Sequence, residues 1–75
     1  MPTTTTLDAR GLKCPMPIVK TAQAIKQVAQ GELLEVLATD PGSVADFAAW
    51  SRSTGNEIVE SSVQDGVYRF VLRRK

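Results

Sequence analysis

The pair Asp65-Gly66 lies between two strand-like runs and marks the end of this chain as a β-hairpin. The expected strands are Asn56 to Val63 and Gly66 to Arg73. In the second, Tyr68, Phe70 and Leu72 alternate with Val67, Arg69, Val71 and Arg73. An isolated hairpin is marginal in water, so the rest of the chain has to extend and cover this sheet.

Upstream, strand and helix signals alternate. Thr3 to Asp8 reads as a short edge strand, followed by a loop from Ala9 to Lys13 that contains Gly11. A helix then opens with Pro15 at its first position and Pro17 in the same turn, where missing amides cost nothing. Ile18, Ala22, Ile25 and Ala29 recur at helical spacing, with Val28 widening the stripe and Gly31 as the stop. Leu33 to Thr39 is a dense apolar strand. The segment "DPGSVADFAAW" starts a second helix, with Ser43 and Asp46 in the form of a capping box and Asp40-Pro41 as a rival start. Val44, Phe47 and Ala48 are expected to share its inward face, Trp50 to sit at the core edge, and Gly55 to end it. The order β-α-β-α-β-β predicts an α/β (α+β) two-layer sandwich: a mixed four-stranded sheet with two helices on one face.

With 75 residues the chain is one domain, its first three residues expected to be a flexible start. A formal net charge of +1 argues against a dedicated nucleic-acid binder. No apolar run approaches the ~20 residues that cross a bilayer, and "MPTTTTLDAR" has no signal-peptide pattern. The expected compartment is the cytoplasm. One cysteine and no histidine exclude an internal disulfide and an ordinary zinc site, and no cofactor motif is visible.

That cysteine, Cys14, stands directly before Pro15-Met16-Pro17. It is expected at about the N-cap of the first helix, where partial positive charge and unpaired amides stabilise a thiolate. Lys13 adds a neighbouring cation and Arg10 a second. Pro15 and Pro17 fix the direction of the first turn. Since Pro15 lacks an N–H, the stabilising donors are expected to be later amides such as those of Met16 and Ile18. Met16 is a candidate for an apolar docking patch beside the sulfur. The competing reading of Cys14 is a small buried apolar group. Lys13 and Arg10 also read as solvated surface charge, and the tail Arg73 to Lys75 as a solubilising end or a means of steering an acidic partner. Without a histidine base, the chemistry open to Cys14 is thiol exchange or sulfur transfer, not acyl hydrolysis.

The stretch "LDARGLKCPMPIVK" resembles the mark of the TusA family of sulfur carriers, also called SirA-like or YedF-like: Leu-Asp, then Gly-Leu-x-Cys-Pro-x-Pro. Leu7, Asp8, Gly11, Leu12, Cys14, Pro15 and Pro17 all match, and the likeness runs from Leu7 to about Arg74. The resemblance implies the same sandwich and gives Cys14 the role of persulfide carrier. It also implies transient contacts with a donor, a cysteine desulfurase or rhodanese-like protein, and with an acceptor protein. Direct nucleic-acid or membrane contact is not expected, and the chain is expected to be a monomer. The family serves tRNA thiolation, molybdenum-cofactor supply and oxidative sulfur metabolism, and Met16 occupies the position at which some tRNA-thiolation relatives carry Glu. Two other readings of the residues stay open: a non-catalytic interaction module in which Cys14 only packs, and a thiol redox sensor.

Overall fold

A computed structural model describes residues 4–13 and 16–75. The elements follow the expected order: β1 (Thr4–Ala9), α1 (Met16–Ala24), a 3-10 turn (Ile25–Gln27), β2 (Leu33–Ala38), α2 (Ser43–Thr54), β3 (Glu57–Gln64) and β4 (Val67–Arg73). They build one four-stranded sheet in the order β1-β2-β4-β3. The strands β1 and β2 are parallel, while β4 is antiparallel to both of its neighbours, so the sheet is mixed and β1 lies at an edge. The hairpin turn is as the sequence predicts, with Asp65 at φ 52° and Gly66 at φ 77°.

Both helices cover the same face. Leu34, Val36 and Ala38 pair across the sheet with Leu72, Phe70 and Tyr68, and these side chains meet Ile25, Val28 and Phe47 in a single core. Phe47 stacks on Phe70 with ring centroids 4.4 Å apart and meets Trp50 edge-on at 6.4 Å. Burying such a ring contributes about 1.5–3 kcal/mol. The opposite face is open and carries charge. Arg69 bonds Glu35, which also accepts from Thr6, and pairs with Glu60 at 2.9 Å. None of these elements is a helix long and apolar enough to cross a membrane.

The inward stripes differ from the sequence expectation by about one residue. In α1 the buried positions are Pro17 and Thr21, followed by Ile25 and Val28, while Ala29 is exposed. Thr21 tolerates burial because its hydroxyl donates to the Pro17 carbonyl at 2.8 Å. The helix then tightens to 3-10 geometry, whose three-residue period sets Ile25 and Val28 in line toward the core. The chain is already extended at Val28, so Gly31 does not stop the helix. Its N–H instead donates to the Arg74 carbonyl at 2.9 Å.

In α2 the inward residues are Ser43 and Phe47, with Trp50 and Ser51 half-buried; Val44 and Ala48 face solvent. The capping box does not form. Gly42 occupies the cap, and the Ser43 hydroxyl is buried without a hydrogen-bond partner among the described residues. Asp40 organises the start: its carboxylate accepts from the Gly42 N–H at 3.0 Å and its carbonyl from the Ser43 N–H at 2.9 Å. Gly55 ends α2 as expected, its N–H donating to the Ser51 carbonyl at 2.9 Å.

Candidate functional site

The β1–α1 and β2–α2 loops emerge at one end of the sheet, because β1 and β2 are parallel and their last residues, Ala9 and Ala38, are partners in register. A shallow cleft of about 340 Å³ lies between them, lined by Gly11, Leu12, Lys13, Thr39, Asp40 and Pro41. Gly11 takes φ 82° in the first loop, and its N–H donates to the Thr39 hydroxyl of the second loop at 2.9 Å. Within the first loop the Leu12 N–H donates to the Ala9 carbonyl at 3.3 Å, and Leu12 packs partly against the core. Lys13 and Met16 are both exposed, Met16 at 40 %.

Cys14 and Pro15 fall outside the described residues, so their expected places at the N-cap and first helical position stay expectations. Their neighbours are described. The Met16 N–H donates to the Lys13 carbonyl at 2.8 Å. That amide, expected to face the sulfur, is already used, and Pro17 has none to offer. Ile18 is therefore the next amide of the turn. Pro17 is fully buried, so it anchors the helix to the core and does not line the cleft. The first turn of α1 carries no acidic residue.

Arg10 was expected to assist the sulfur, but its guanidinium grips Asp8. The Asp8 carboxylate accepts from the Arg10 Nε and Nη2, each at 2.9 Å, and from the Arg10 backbone N–H at 3.0 Å. These bonds hold the Asp8 carboxyl at about 2, below its ordinary 3.8. They also raise the Arg10 pKa. The fork geometry is strong and local, so Arg10 shapes the exit from β1 and Lys13 is the cation next to Cys14 in the chain. The motif gave Asp8 no role of its own, although an acid two residues before an arginine is a readable local pair. Thr39 gave no signal at all.

The family model described as Sulfurtransferase TusA matches residues 5–74. The chain belongs to the TusA family. The sulfur carrier protein TusA of Allochromatium vinosum is 44 % identical over 68 residues, covering 91 % of this chain and 90 % of its own. A Neisseria meningitidis relative is 49 % identical over 70 residues, covering 93 % of this chain and 95 % of its own. In shape the TusA-family chain is similar to the crystal structure of a SirA-like protein from Desulfitobacterium hafniense. The TM-score is 0.81 over 95 % of this chain and 96 % of that one, at 23 % identity, a likeness of fold.

Proposed function

We propose that this protein is a sulfur carrier that accepts sulfane sulfur on Cys14 and hands it to an acceptor protein. The observation that carries the reading is membership of the TusA family over residues 5–74, a span that holds the chain's single cysteine. The surroundings support it. The cysteine follows the exposed Lys13 on the lining of a cleft, and no carboxylate in the first turn of α1 competes for the positive end of that helix.

The transfer is an exchange at sulfur. The Cys14 thiolate attacks the outer sulfur of a donor persulfide. A Cys14–sulfur bond forms as the donor's sulfur–sulfur bond breaks, and the donor leaves as a thiolate. The charge moves from one sulfur to another, and the cargo keeps its oxidation level. An acceptor thiolate then repeats the attack on the Cys14 persulfide. No proton has to be relayed, which fits a chain without histidine. The exposed Met16 beside the cysteine offers apolar contact to donor and acceptor in turn, and brief encounters of this kind need only small interfaces. We place the monomer in the cytoplasm, loaded by a cysteine desulfurase or a rhodanese-like protein, with tRNA thiolation, molybdenum-cofactor supply or sulfur oxidation as the destination.

The test is intact mass after incubation with a desulfurase and cysteine. The expected result is one added sulfur on the wild type, removed by reductant, and none on Cys14→Ser. A wild type whose mass never changes under desulfurase, rhodanese-like and inorganic persulfide donors would defeat the reading.

A further inference from the structure

We propose that Thr39 is a positioning residue for sulfur transfer, holding the loop that leads into Cys14; this rests on the carrier reading above. The loop from Arg10 to Lys13 is tied mostly to itself and its own strand: Arg10 to Asp8, and Leu12 to Ala9. The Lys13 carbonyl also accepts from Met16 at the start of α1, and the bond that ties the loop across the chain runs from the Gly11 N–H to the Thr39 hydroxyl, at 2.9 Å across 28 residues of sequence. The two residues meet because the parallel register brings Ala9 and Ala38 side by side, and each loop starts there.

Gly11 is the loop position with positive φ, so its conformation is the one that sets the path on to Lys13. Fixing its amide fixes the direction in which the chain runs on toward the cysteine. The same bond joins the two loops that line the cleft, so a partner segment pressing on Thr39, Asp40 or Pro41 also acts on the cysteine loop. Thr39 is itself exposed, which makes this a modest bond whose loss leaves the core untouched.

The experiment compares Thr39→Val, which keeps shape and removes the acceptor, with Thr39→Ser, which keeps it. Three readouts are followed: hydrogen exchange of the Gly11 amide, alkylation of Cys14 by iodoacetamide against pH, and the rate of sulfur loading from a desulfurase. Thr39→Val is expected to melt within a few degrees of wild type. It should speed Gly11 exchange and slow loading by about fivefold each, the weight of one ordinary hydrogen bond, and displace the alkylation profile. Thr39→Ser is expected to restore all three. Wild-type exchange and alkylation in Thr39→Val, or failure of Thr39→Ser to restore them, overturns the proposal. If the wild type takes no sulfur, the carrier reading falls alone, because exchange and alkylation still report on Thr39.

Discussion

The two strand-loop-helix units at the cleft are built on the same plan and finished differently. Each leaves the carboxyl end of a parallel strand and turns into a helix that covers the same sheet face. In the second unit the fold completes its own helix start. Asp40 takes the Gly42 and Ser43 amides, and Asp46 sits in the first turn of α2. In the first unit no acidic side chain occupies the first turn of α1, Lys13 adds positive charge just before it, and Met16 and Val19 are left exposed. One helix start is satisfied from within. The other carries no acid in its first turn and follows the exposed Lys13.

The harshest way to break this comparison is to move the thiol from one unit to the other. Ser43 heads α2, so the double variant Cys14→Ser, Ser43→Cys offers a cysteine at the start of the self-completed helix. Ser43 is buried, and the first turn of its helix already holds the acidic Asp46. The double variant is expected to fold and to take up no sulfur, a complete loss read by intact mass. Sulfur on the transplanted cysteine would show that any helix start suffices and that the differences between the units are incidental.

A second test concerns what each helix rests on. Fully buried Phe47 stacks on Phe70, whereas α1 is seated by Pro17 and the self-bonded Thr21. Phe47→Ala is expected to cost about 3–5 kcal/mol, most of the stability of so small a domain. Thr21→Val swaps a satisfied hydroxyl for a methyl and is expected to change stability by about 1 kcal/mol or less. Urea unfolding measures both. Equal costs would mean that the two helices share the core evenly.

The third test reverses the charge beside the cysteine. Lys13→Glu places an acid where the first unit has none, and is expected to slow Cys14 alkylation at neutral pH about two- to fivefold, the usual weight of a charge at a helix end. Lys13→Gln should fall between, and concentrated salt should shrink both effects. A rate unchanged by Lys13→Glu would remove the cation from the account.

The element order, the hairpin and the motif around Cys14 were legible in the sequence because each is written in neighbouring residues. Asp65-Gly66 specifies its turn whatever surrounds it. The inward faces were harder. A buried Thr21 reads as polar until its bond to Pro17 is seen, and the 3-10 turn at Ile25 resets the helical period. Ser43 and Asp46 have the spacing of a capping box, yet Asp40 reaches the start of the helix first. Arg10 reads from the chain as a cation near the sulfur, and the structure adds that its guanidinium is held by Asp8, a pair written two residues apart. Thr39 was invisible, since its contact with Gly11 exists only through the pairing of β1 with β2.

The smallest expected effect sharpens the same contrast from the acid side. Asp8 closes the exit of β1 as Asp40 closes that of β2, but it does so by holding Arg10 and not a helix amide. Its carboxyl sits at about 2 where 3.8 is ordinary, lowered first by the side-chain bonds from Arg10 and then by the Arg10 backbone amide. A lowered pKa in the folded state means that the pair supports the fold fully above about pH 4 and loses that support as the pH falls toward 2. Both side chains are about half exposed, so the contribution is small and weakened by salt. Carbon-13 shifts of the Asp8 carboxyl should titrate with a midpoint near 2, together with the Arg10 Nε–H, while the core signals of Phe47 and Phe70 stay fixed. A midpoint at 3.8 would mean that Arg10 is not held, and its guanidinium would then be free to join Lys13 beside the cysteine. Alkylation of Cys14 separates the two cases. With the pair intact, Asp8→Asn releases a cation and speeds the reaction slightly, by about twofold at most, whereas with Arg10 already loose it changes nothing.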